Sequence, residues 1–375
     1  MRPGTGKGSK RGRRSRLELV IVLFAITMLI AGLSTLVLAP RHGVRKPGLE
    51  PTPWVLPAPM VPPLLTPGPK PQLVKVPERL PMRVATANIY QRLSWSRALS
   101  DINRLMDPNT DLIGLNEINP GRAAALQSWI ATRPGWHFYA PPASPTQFRL
   151  SNSLIWNDSR LKLLDTGSEF GSQSATRKYA VDSRWITWAK FRVRKSGTTL
   201  FFLVTHMDPA VERRGVPRPN GTVRANQVYM DRLLDFAAGL VKSTGRAERS
   251  SNVIIVGDWN VNALADRRVA ASVMPFAVLE GRGEGPIISN YSALGFTFPP
   301  TSPKSHRWID YVAVWSRMPL GGPELSFQEQ YSPRPVYSDH NPVIADLVLK
   351  YFKLKGIGPG PDQDSMPGPT PVASG

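Results

Sequence analysis

The chain has 375 residues, no cysteine and a formal net charge of +20. Because cysteine is absent, disulfides and thiolate metal sites are excluded, and any bound metal must use oxygen or imidazole ligands. The positive charge favours phosphate-rich partners, either a nucleic acid or an anionic membrane.

The first 39 residues have the pattern of a membrane anchor. Residues 1–16 contain seven Lys/Arg and no acid, which predicts a solvated basic tail in the cytoplasm. The uncharged apolar run Leu19–Ala39 is long enough to cross a bilayer as a helix, so we predict a single transmembrane helix over residues 17–39 and a catalytic part outside the cytoplasm. The alternative is a secreted protein cleaved near Ala39, although the apolar region of a signal peptide is usually shorter.

Two proline-rich segments flank a longer region of mixed periodicity. Residues 40–81 contain 13 prolines, which predict a semi-rigid, polyproline-like linker without regular pairing. Residues 353–375 are again rich in Pro and Gly and are predicted to be disordered. The range 82–352 is therefore the predicted folded domain.

Short apolar or alternating runs in this domain predict strands, and stretches with apolar spacing of three and four residues predict helices. The predicted strands are Arg83–Tyr90, Asp111–Ile118, Ser153–Trp156, Trp185–Val193, Leu200–Thr205, Val253–Val256, Ile309–Trp315 and Pro342–Leu349. The predicted helices are Ser96–Met106, Ala123–Ala131 and Asn226–Val241. This mixture favours a four-layer α/β sandwich in which two packed mixed β-sheets are flanked by helices.

Polar side chains with strong chemistry follow several predicted strands. Asn88 ends the first strand, Glu117 ends the second, and His206 follows the apolar run before it. A glutamate that closes an apolar strand is a candidate metal ligand. Taken singly, each of these residues would more often be structural or solvated, so their combination has to carry the inference.

Three further motifs lie in the second half of the domain. In Gly257-Asp258-Trp259-Asn260, the Asp and Asn side chains point to one side if the strand stays extended. Asp310 stands inside an apolar strand, where a buried charge needs a partner. Ser338-Asp339-His340 places a carboxylate beside an imidazole just before the last strand.

These six pieces, in this order, resemble the endonuclease/exonuclease/phosphatase superfamily. The most specific parts are Gly257-Asp258-Trp259-Asn260, Ile309-Asp310-Tyr311-Val312 and Ser338-Asp339-His340-Asn341-Pro342-Val343. The resemblance spans essentially all of 82–352. It implies that this range is a catalytic domain, which we expect to be monomeric, with the deoxyribonuclease-I-like fold and phosphoric ester hydrolase activity.

The resemblance also implies a metal site. Glu117 becomes the principal ligand of Mg²⁺ or Mn²⁺, with Asn88 and Asp339 nearby. Hard oxygen ligands suit these ions better than Zn²⁺.

The same resemblance implies catalytic roles for five residues. Asp258 would orient or deprotonate the attacking water, and Asn260 would hold a phosphate oxygen. His340 would contact the scissile phosphate and be oriented by Asp310, while His206 matches the second histidine of the family.

Three residues are expected to contact or support the substrate. Arg184 stands where deoxyribonucleases have a substrate-contacting arginine, and Arg177 with its neighbours Lys178 and Tyr179 could grip a polynucleotide. Asn152 stands where the deoxyribonuclease branch has a glutamate that orients the first histidine. An amide stabilises a charged ring less than a carboxylate does, so His206 is expected to be neutral.

Three functions are compatible with this sequence. A nuclease is favoured because the domain itself is basic, with 32 Lys/Arg against 22 Asp/Glu in 82–352. A phospholipid or phosphoinositide phosphoesterase, similar to a sphingomyelinase, would benefit from the membrane anchor. A catalytically silent cell-surface binding module is disfavoured because each catalytic position carries the expected residue type.

Overall fold

The computed structural model describes residues 72–142, 151–174, 183–209, 211–213, 216–217, 221–243, 252–264, 287–316, 324–334 and 336–357. The predicted basic tail, the predicted anchor over 17–39, most of the linker, the tail beyond 357 and Arg177 lie outside these ranges. In the part of the chain that is described, no helix is both long and apolar enough to cross a membrane.

Two six-stranded sheets form the centre of the fold. The first, in the order β13-β14-β1-β2-β4-β3, contains β1 (Gln72–Asn88), β2 (Thr110–Ile118), β3 (Trp136–Tyr139), β4 (Ser151–Asn157), β13 (Glu324–Tyr331) and β14 (Val343–Ile357). The second, in the order β11-β12-β10-β7-β6-β5, contains β5 (Leu161–Gln173), β6 (Ser183–Val193), β7 (Thr199–His206), β10 (Asn252–Asp258), β11 (Ile287–Ser289) and β12 (Asp310–Ser316). A small ribbon pairs β8 (Glu212–Arg213) with β9 (Val216–Pro217).

The helices cover the sheets. They are α1 (Trp95–Leu105), α2 (Pro120–Ile130), α3 (Gly221–Ser243) and the short α4 (Asn290–Leu294). Alternation along the strands builds two apolar cores: in β1, Val84 belongs to the core that includes the second sheet and α3, while Ala85 belongs to the core with α1 and α2. The predicted α/β sandwich of two packed mixed sheets with helices is thus confirmed.

The two sheets use the same arrangement around their central strands. β1 runs parallel to β2 and antiparallel to β14, and β10 runs parallel to β7 and antiparallel to β12. In this register Asn88 lies opposite Asn116, and Asp258 lies between His206 and Asp310. The carboxyl ends of the parallel strands therefore meet the amino ends of their antiparallel partners at one edge.

Two glycines permit close approaches in this region. A Cβ on Gly114 of β2 would lie 2.3 Å from Val256 Cγ2 of β10. The glycine therefore leaves room for the Val256 side chain of the facing sheet. A Cβ on Gly257 would lie 1.9 Å from the carbonyl oxygen of Thr205, and its φ of +140° is rarely adopted by other residues.

The outer ends of β1 and β14 extend past the limits of 82 and 352 that the sequence predicts. The ladder between them runs from Gln72 opposite Ile357, through Pro77 and Pro81, to Thr86 opposite Val343. Within the described residues, β1 gains its second neighbour, β2, only from Arg83 onward. Proline is tolerated in a strand with one free edge, which explains why these prolines do not prevent pairing.

Candidate active site

A polar cleft of about 340 Å³ opens where the strand ends of both sheets meet. Seven residues predicted from the sequence line it: Glu117, Arg184, His206, Asp258, Asn260, Asp339 and His340. They come from different parts of the chain, and the register of the strands brings them together.

Asn88 and Glu117 form one side of the site. The Asn88 amide donates to Asp258 Oδ2 at 3.0 Å and to Glu117 Oε1 at 3.2 Å, and Gln91 N–H donates to Glu117 Oε2 at 2.9 Å. Asn88 Oδ1 is buried and has no hydrogen-bond partner within the described residues. Glu117 adopts a φ of +64°, a strained conformation for a non-glycine residue, and such strain is enriched at functional sites.

Asp258 lies at the centre of the site and is only 2% exposed. Its Oδ1 accepts the Asn260 N–H at 2.9 Å, and its Oδ2 lies 3.6 Å from His206 Nε2 and 3.9 Å from His340 Nδ1. Burial, together with the charge of Asp310, raises the pKa of Asp258 to about 7. A carboxylate with this pKa is a competent proton acceptor near neutral pH.

His340 is paired with Asp310, whose Oδ2 lies 2.9 Å from its Nδ1. Burial alone would lower the pKa of His340, but the charges of Asp310 and Asp258 outweigh it and raise the pKa to about 10. The ring is therefore protonated at neutral pH: Nδ1–H donates to Asp310, and Nε2–H remains as a second donor.

Two groups of side chains offer metal-ligand atoms. Asp258, Asp310 and His340 present such atoms within 4.8 Å of one another. In this group Asp310 Oδ2 already lies 2.9 Å from His340 Nδ1, so the two side chains are paired with each other. The oxygens of Glu117 and the unsatisfied Asn88 Oδ1 fit a hard cation such as Mg²⁺ or Mn²⁺ instead.

His206 is neutral, as the sequence predicts. Burial, followed by the charges of Arg184 and His340, holds the pKa of His206 well below its ordinary value. Its Nδ1 has no hydrogen-bond partner within the parts of the chain described.

Asn152 does not orient that histidine. Its amide donates to the carbonyl oxygens of Trp185 at 2.7 Å and Val204 at 3.1 Å, and its Oδ1 accepts from Asn116 at 2.8 Å. Both amide protons of Asn152 are thus used by main-chain carbonyls, whereas the sequence pattern predicted a contact with His206 or the substrate. Asn152 joins strands β4, β6 and β7.

Arg184 brings a cation to the cleft. It is 5% exposed, and its Nε is buried without a hydrogen-bond partner among the described residues. Burying a donor of a charged group without a hydrogen bond is unfavourable. An anion in the cleft would relieve this cost, which fits the predicted contact with a substrate.

Asn116 is a supporting residue that the sequence motifs do not single out. Its Oδ1 accepts the Asp258 N–H at 2.8 Å, and its amide donates to the carbonyl oxygen of Thr205 at 2.9 Å. It thereby fixes the end of β10 against the end of β7. The sequence feature that could have identified Asn116 is its position next to Glu117 in an otherwise apolar strand.

Side chains of helices α1 and α2 also form hydrogen bonds with the backbone of the loops that border the cleft. Both carboxylate oxygens of Asp101, on α1, accept the Tyr337 N–H at 3.0 Å, and Oδ2 accepts the Ser338 N–H at 2.9 Å. Arg122, on α2, donates to the carbonyl oxygens of Ile89 at 3.0 Å and Tyr90 at 3.1 Å. In the sequence, the contact of Asp101 is indicated only by an acidic residue on the apolar face of a predicted helix.

Comparison with known proteins gives matches to solved structures only. The sequence matches no protein-family model and no curated protein. Among solved structures, an endonuclease/exonuclease/phosphatase from Bacteroides vulgatus is similar, with 17% identity, a TM-score of 0.52 and coverage of 72% of this chain and 98% of that one. The human Nocturnin catalytic domain is similar at 17% identity and a TM-score of 0.50, covering 74% and 98% of the two chains.

A third similar structure is D. rerio TDP2 in complex with a single-strand DNA product. It has 15% identity and a TM-score of 0.50, and the match covers 71% of this chain and 98% of that one. At these identities the likeness concerns the fold, and it agrees with the order of motifs in the sequence. The chain has the fold of the endonuclease/exonuclease/phosphatase superfamily.

Proposed function

We propose that the protein is a metal-dependent phosphodiesterase that hydrolyses nucleic acid by attack of a water molecule in line with the leaving oxygen. The observation that carries the proposal is the convergence, in one cleft, of a basic carboxylate, a protonated histidine and a buried arginine whose Nε has no hydrogen-bond partner among the described residues. These are Asp258, His340 and Arg184.

Glu117 would hold Mg²⁺ or Mn²⁺, with Asn88 Oδ1 and Asp339 as further oxygen ligands. The buried Asn88 Oδ1, which lacks a hydrogen-bond partner among the described residues, supports this assignment. When bound, such a cation absorbs negative charge that develops on the phosphate.

The remaining side chains divide the chemistry of the water attack. Asp258 orients the water and takes its proton, since its carboxylate is buried and has a raised pKa. His340, fixed by Asp310, presents Nε2–H to a phosphate oxygen as charge develops there.

Three further side chains position the phosphate. Asn260 donates one amide proton to the carbonyl oxygen of Met207 at 3.0 Å, and its second amide proton is assigned to a phosphate oxygen. His206 donates a neutral N–H, and Arg184 supplies a fixed positive charge.

A nucleic acid is the favoured substrate because the domain carries an excess of basic residues and the cleft contains a buried arginine. The TDP2 structure with its single-strand DNA product is an instance of this fold holding DNA. We also propose that residues 17–39 anchor the protein in the cell membrane with the catalytic domain outside the cytoplasm.

The test is hydrolysis by the full chain, purified in detergent micelles with Mg²⁺ and incubated separately with plasmid DNA, RNA, sphingomyelin and phosphoinositides. Each arm is repeated with EDTA and with Asp258→Asn. We expect cleavage of nucleic acid that both controls abolish. Cleavage of lipid alone would support the phospholipid phosphoesterase, and no cleavage of any substrate would support the silent binding module.

A further inference from the structure

Tyr337 is an exposed aromatic residue with a rigidly held backbone. Its N–H donates to both carboxylate oxygens of Asp101 at 3.0 Å, and the next residue, Ser338, donates to the same carboxylate at 2.9 Å. Asp101 is 4% exposed, whereas Tyr337 is 51% exposed. These charge-assisted hydrogen bonds thus fix the backbone that carries the ring, and the ring itself contributes little to the core.

The same helix also supports the ring itself. Arg97 stands one turn before Asp101 on α1, and its guanidinium lies 5.3 Å from the centre of the Tyr337 ring. Residues four positions apart share one face of a helix, so α1 holds both the backbone and the ring of this tyrosine. The arrangement lowers the entropy lost when a ligand stacks on the exposed part of the ring.

The backbone that carries this ring leads directly into the catalytic cleft. Ser338 Oγ donates to the carbonyl oxygen of Asn88 at 2.6 Å and accepts the Tyr90 N–H at 3.3 Å. Tyr90 and Arg92 both line the cleft, as do the two residues that follow Ser338. Tyr337 therefore lies two residues before Asp339 of the cleft, and Arg92 of the cleft and Arg97 of α1 supply nearby positive charge.

We propose that Tyr337 is a stacking platform for a base of single-stranded nucleic acid next to the scissile phosphate, with Arg92 and Arg97 facing the neighbouring phosphates. This inference rests on the proposed function and specifies its substrate. Aromatic rings stack on bases of every type, so the platform would accept any base. Lipid chains would instead require a broad apolar patch, whereas the neighbours of Tyr337 named above are charged.

The experiment compares two strands with the same number of phosphates, using the full chain in detergent micelles with Mg²⁺. One is an ordinary single-stranded oligodeoxyribonucleotide, and in the other the central nucleotides are abasic. We expect the wild type to cleave the first with about tenfold higher kcat/KM, mainly through KM, because one stacked base contributes on the order of 1.4 kcal/mol. Tyr337→Ala should reduce this ratio to about one, and Tyr337→Phe should retain it.

Phe352→Ala is the matched control. Phe352 is also exposed, at 41%, but lies on β14 near the end remote from the cleft, so its loss should leave the ratio unchanged. A ratio unaffected by Tyr337→Ala would overturn the platform while leaving the phosphodiesterase intact. Equal losses on both strands would assign Tyr337 a purely structural role.

A binding measurement separates this inference from the proposed function. Fluorescence anisotropy with the same two strands in EDTA should show the same preference, and its loss in Tyr337→Ala, whether or not the protein cleaves them. A wild type that binds the base-bearing strand in this way but cleaves neither strand would contradict the proposed function alone. Preferential binding to phosphatidylserine vesicles that requires Tyr337, without binding to either strand, would overturn the platform.

Discussion

At His340, burial and the neighbouring charges shift the pKa in opposite directions, whereas at Asp258 burial and the charge of Asp310 both raise it. Burial favours the neutral form of each group and therefore raises the pKa of the acid and lowers that of the histidine. The carboxylate of Asp310, 2.9 Å from His340 Nδ1, outweighs burial for the histidine. One small site thus contains a proton acceptor beside a proton donor, the pairing that general acid–base chemistry requires.

Glu117→Gln tests the metal site at the residue scale. The amide keeps the shape of the side chain but removes the charge, so we expect at least about tenfold lower activity at low Mg²⁺ and partial recovery at high Mg²⁺. Titration of the cleavage rate with Mg²⁺ measures this. Glu329→Gln, a change at an exposed residue of β13, should give the wild-type titration curve, and full activity of the wild type in excess EDTA would contradict the metal assignment.

Asp111 provides a test of stability against pH away from the cleft. It is 1% exposed and paired with Arg160 at 3.0 Å, and burial nevertheless raises its pKa to about 6. The folded state therefore binds this proton more tightly than the unfolded state does. The resulting stabilisation is complete below about pH 4 and is lost as the pH rises to about 6.

Asp111→Asn should remove this dependence. The free energy of unfolding of the wild type should fall relative to that of the variant by about 1–3 kcal/mol between pH 4 and pH 7. Urea denaturation of the Gly68–Gly375 unit at several pH values measures the difference. A constant difference across this range would show that the carboxyl group titrates normally.

The residues that could be predicted are those whose chemistry stands in a short motif. Asp258, Asp310 and His340 belong to local patterns, and the cleft brings all three together. Asn116 and Asp101 could not be assigned, because their partners lie 142 and 236 residues away in the chain. A contact of this kind depends on strand order and helix docking, which no local pattern encodes.

At the scale of elements, apolar strands and amphipathic helices were predictable, whereas short or polar edge strands were not. β5 (Leu161–Gln173) and β13 (Glu324–Tyr331) lie at sheet edges and alternate irregularly between buried and exposed positions, so their sequences lack the period of a half-buried strand. The start of β1 was missed because its prolines suggested a linker. Pairing with β14 overrides that local preference.

Gly257→Ala tests the close approach between β10 and β7. The added methyl group would lie 1.9 Å from the Thr205 carbonyl oxygen in a backbone conformation with φ of +140°. We expect a loss of about 3 kcal/mol or more in the free energy of unfolding, from overpacking and backbone strain together.

Gly197→Ala is the control for backbone strain alone. Gly197 has a φ of +73°, but apart from its chain neighbours no atom of the described residues lies within 4 Å of the place that an added methyl group would occupy. We therefore expect a loss of only about 1 kcal/mol. Thermal unfolding of both variants measures the contrast. Equal destabilisation would show that the Thr205 contact is unimportant.

At the scale of the whole molecule, a basic domain is combined with a predicted anchor and linker. The proposal that residues 17–39 span the membrane, with the catalytic part outside the cytoplasm, predicts the result of protease treatment of intact cells. The catalytic domain should be released and a short stub should remain in the membrane fraction. Recovery of a soluble protein that begins at Pro40 would instead support cleavage after Ala39.

The central claim is that Asp258 and His340 act as one catalytic unit on a phosphodiester. The most direct measurement is single-turnover cleavage of single-stranded DNA by Asp258→Ala, His340→Ala and the double variant, alongside binding of the same strand. We predict that each single change lowers the rate by about 1,000-fold or more, that the double variant is hardly slower, and that binding persists. Cleavage by His340→Ala at the wild-type rate would contradict the account.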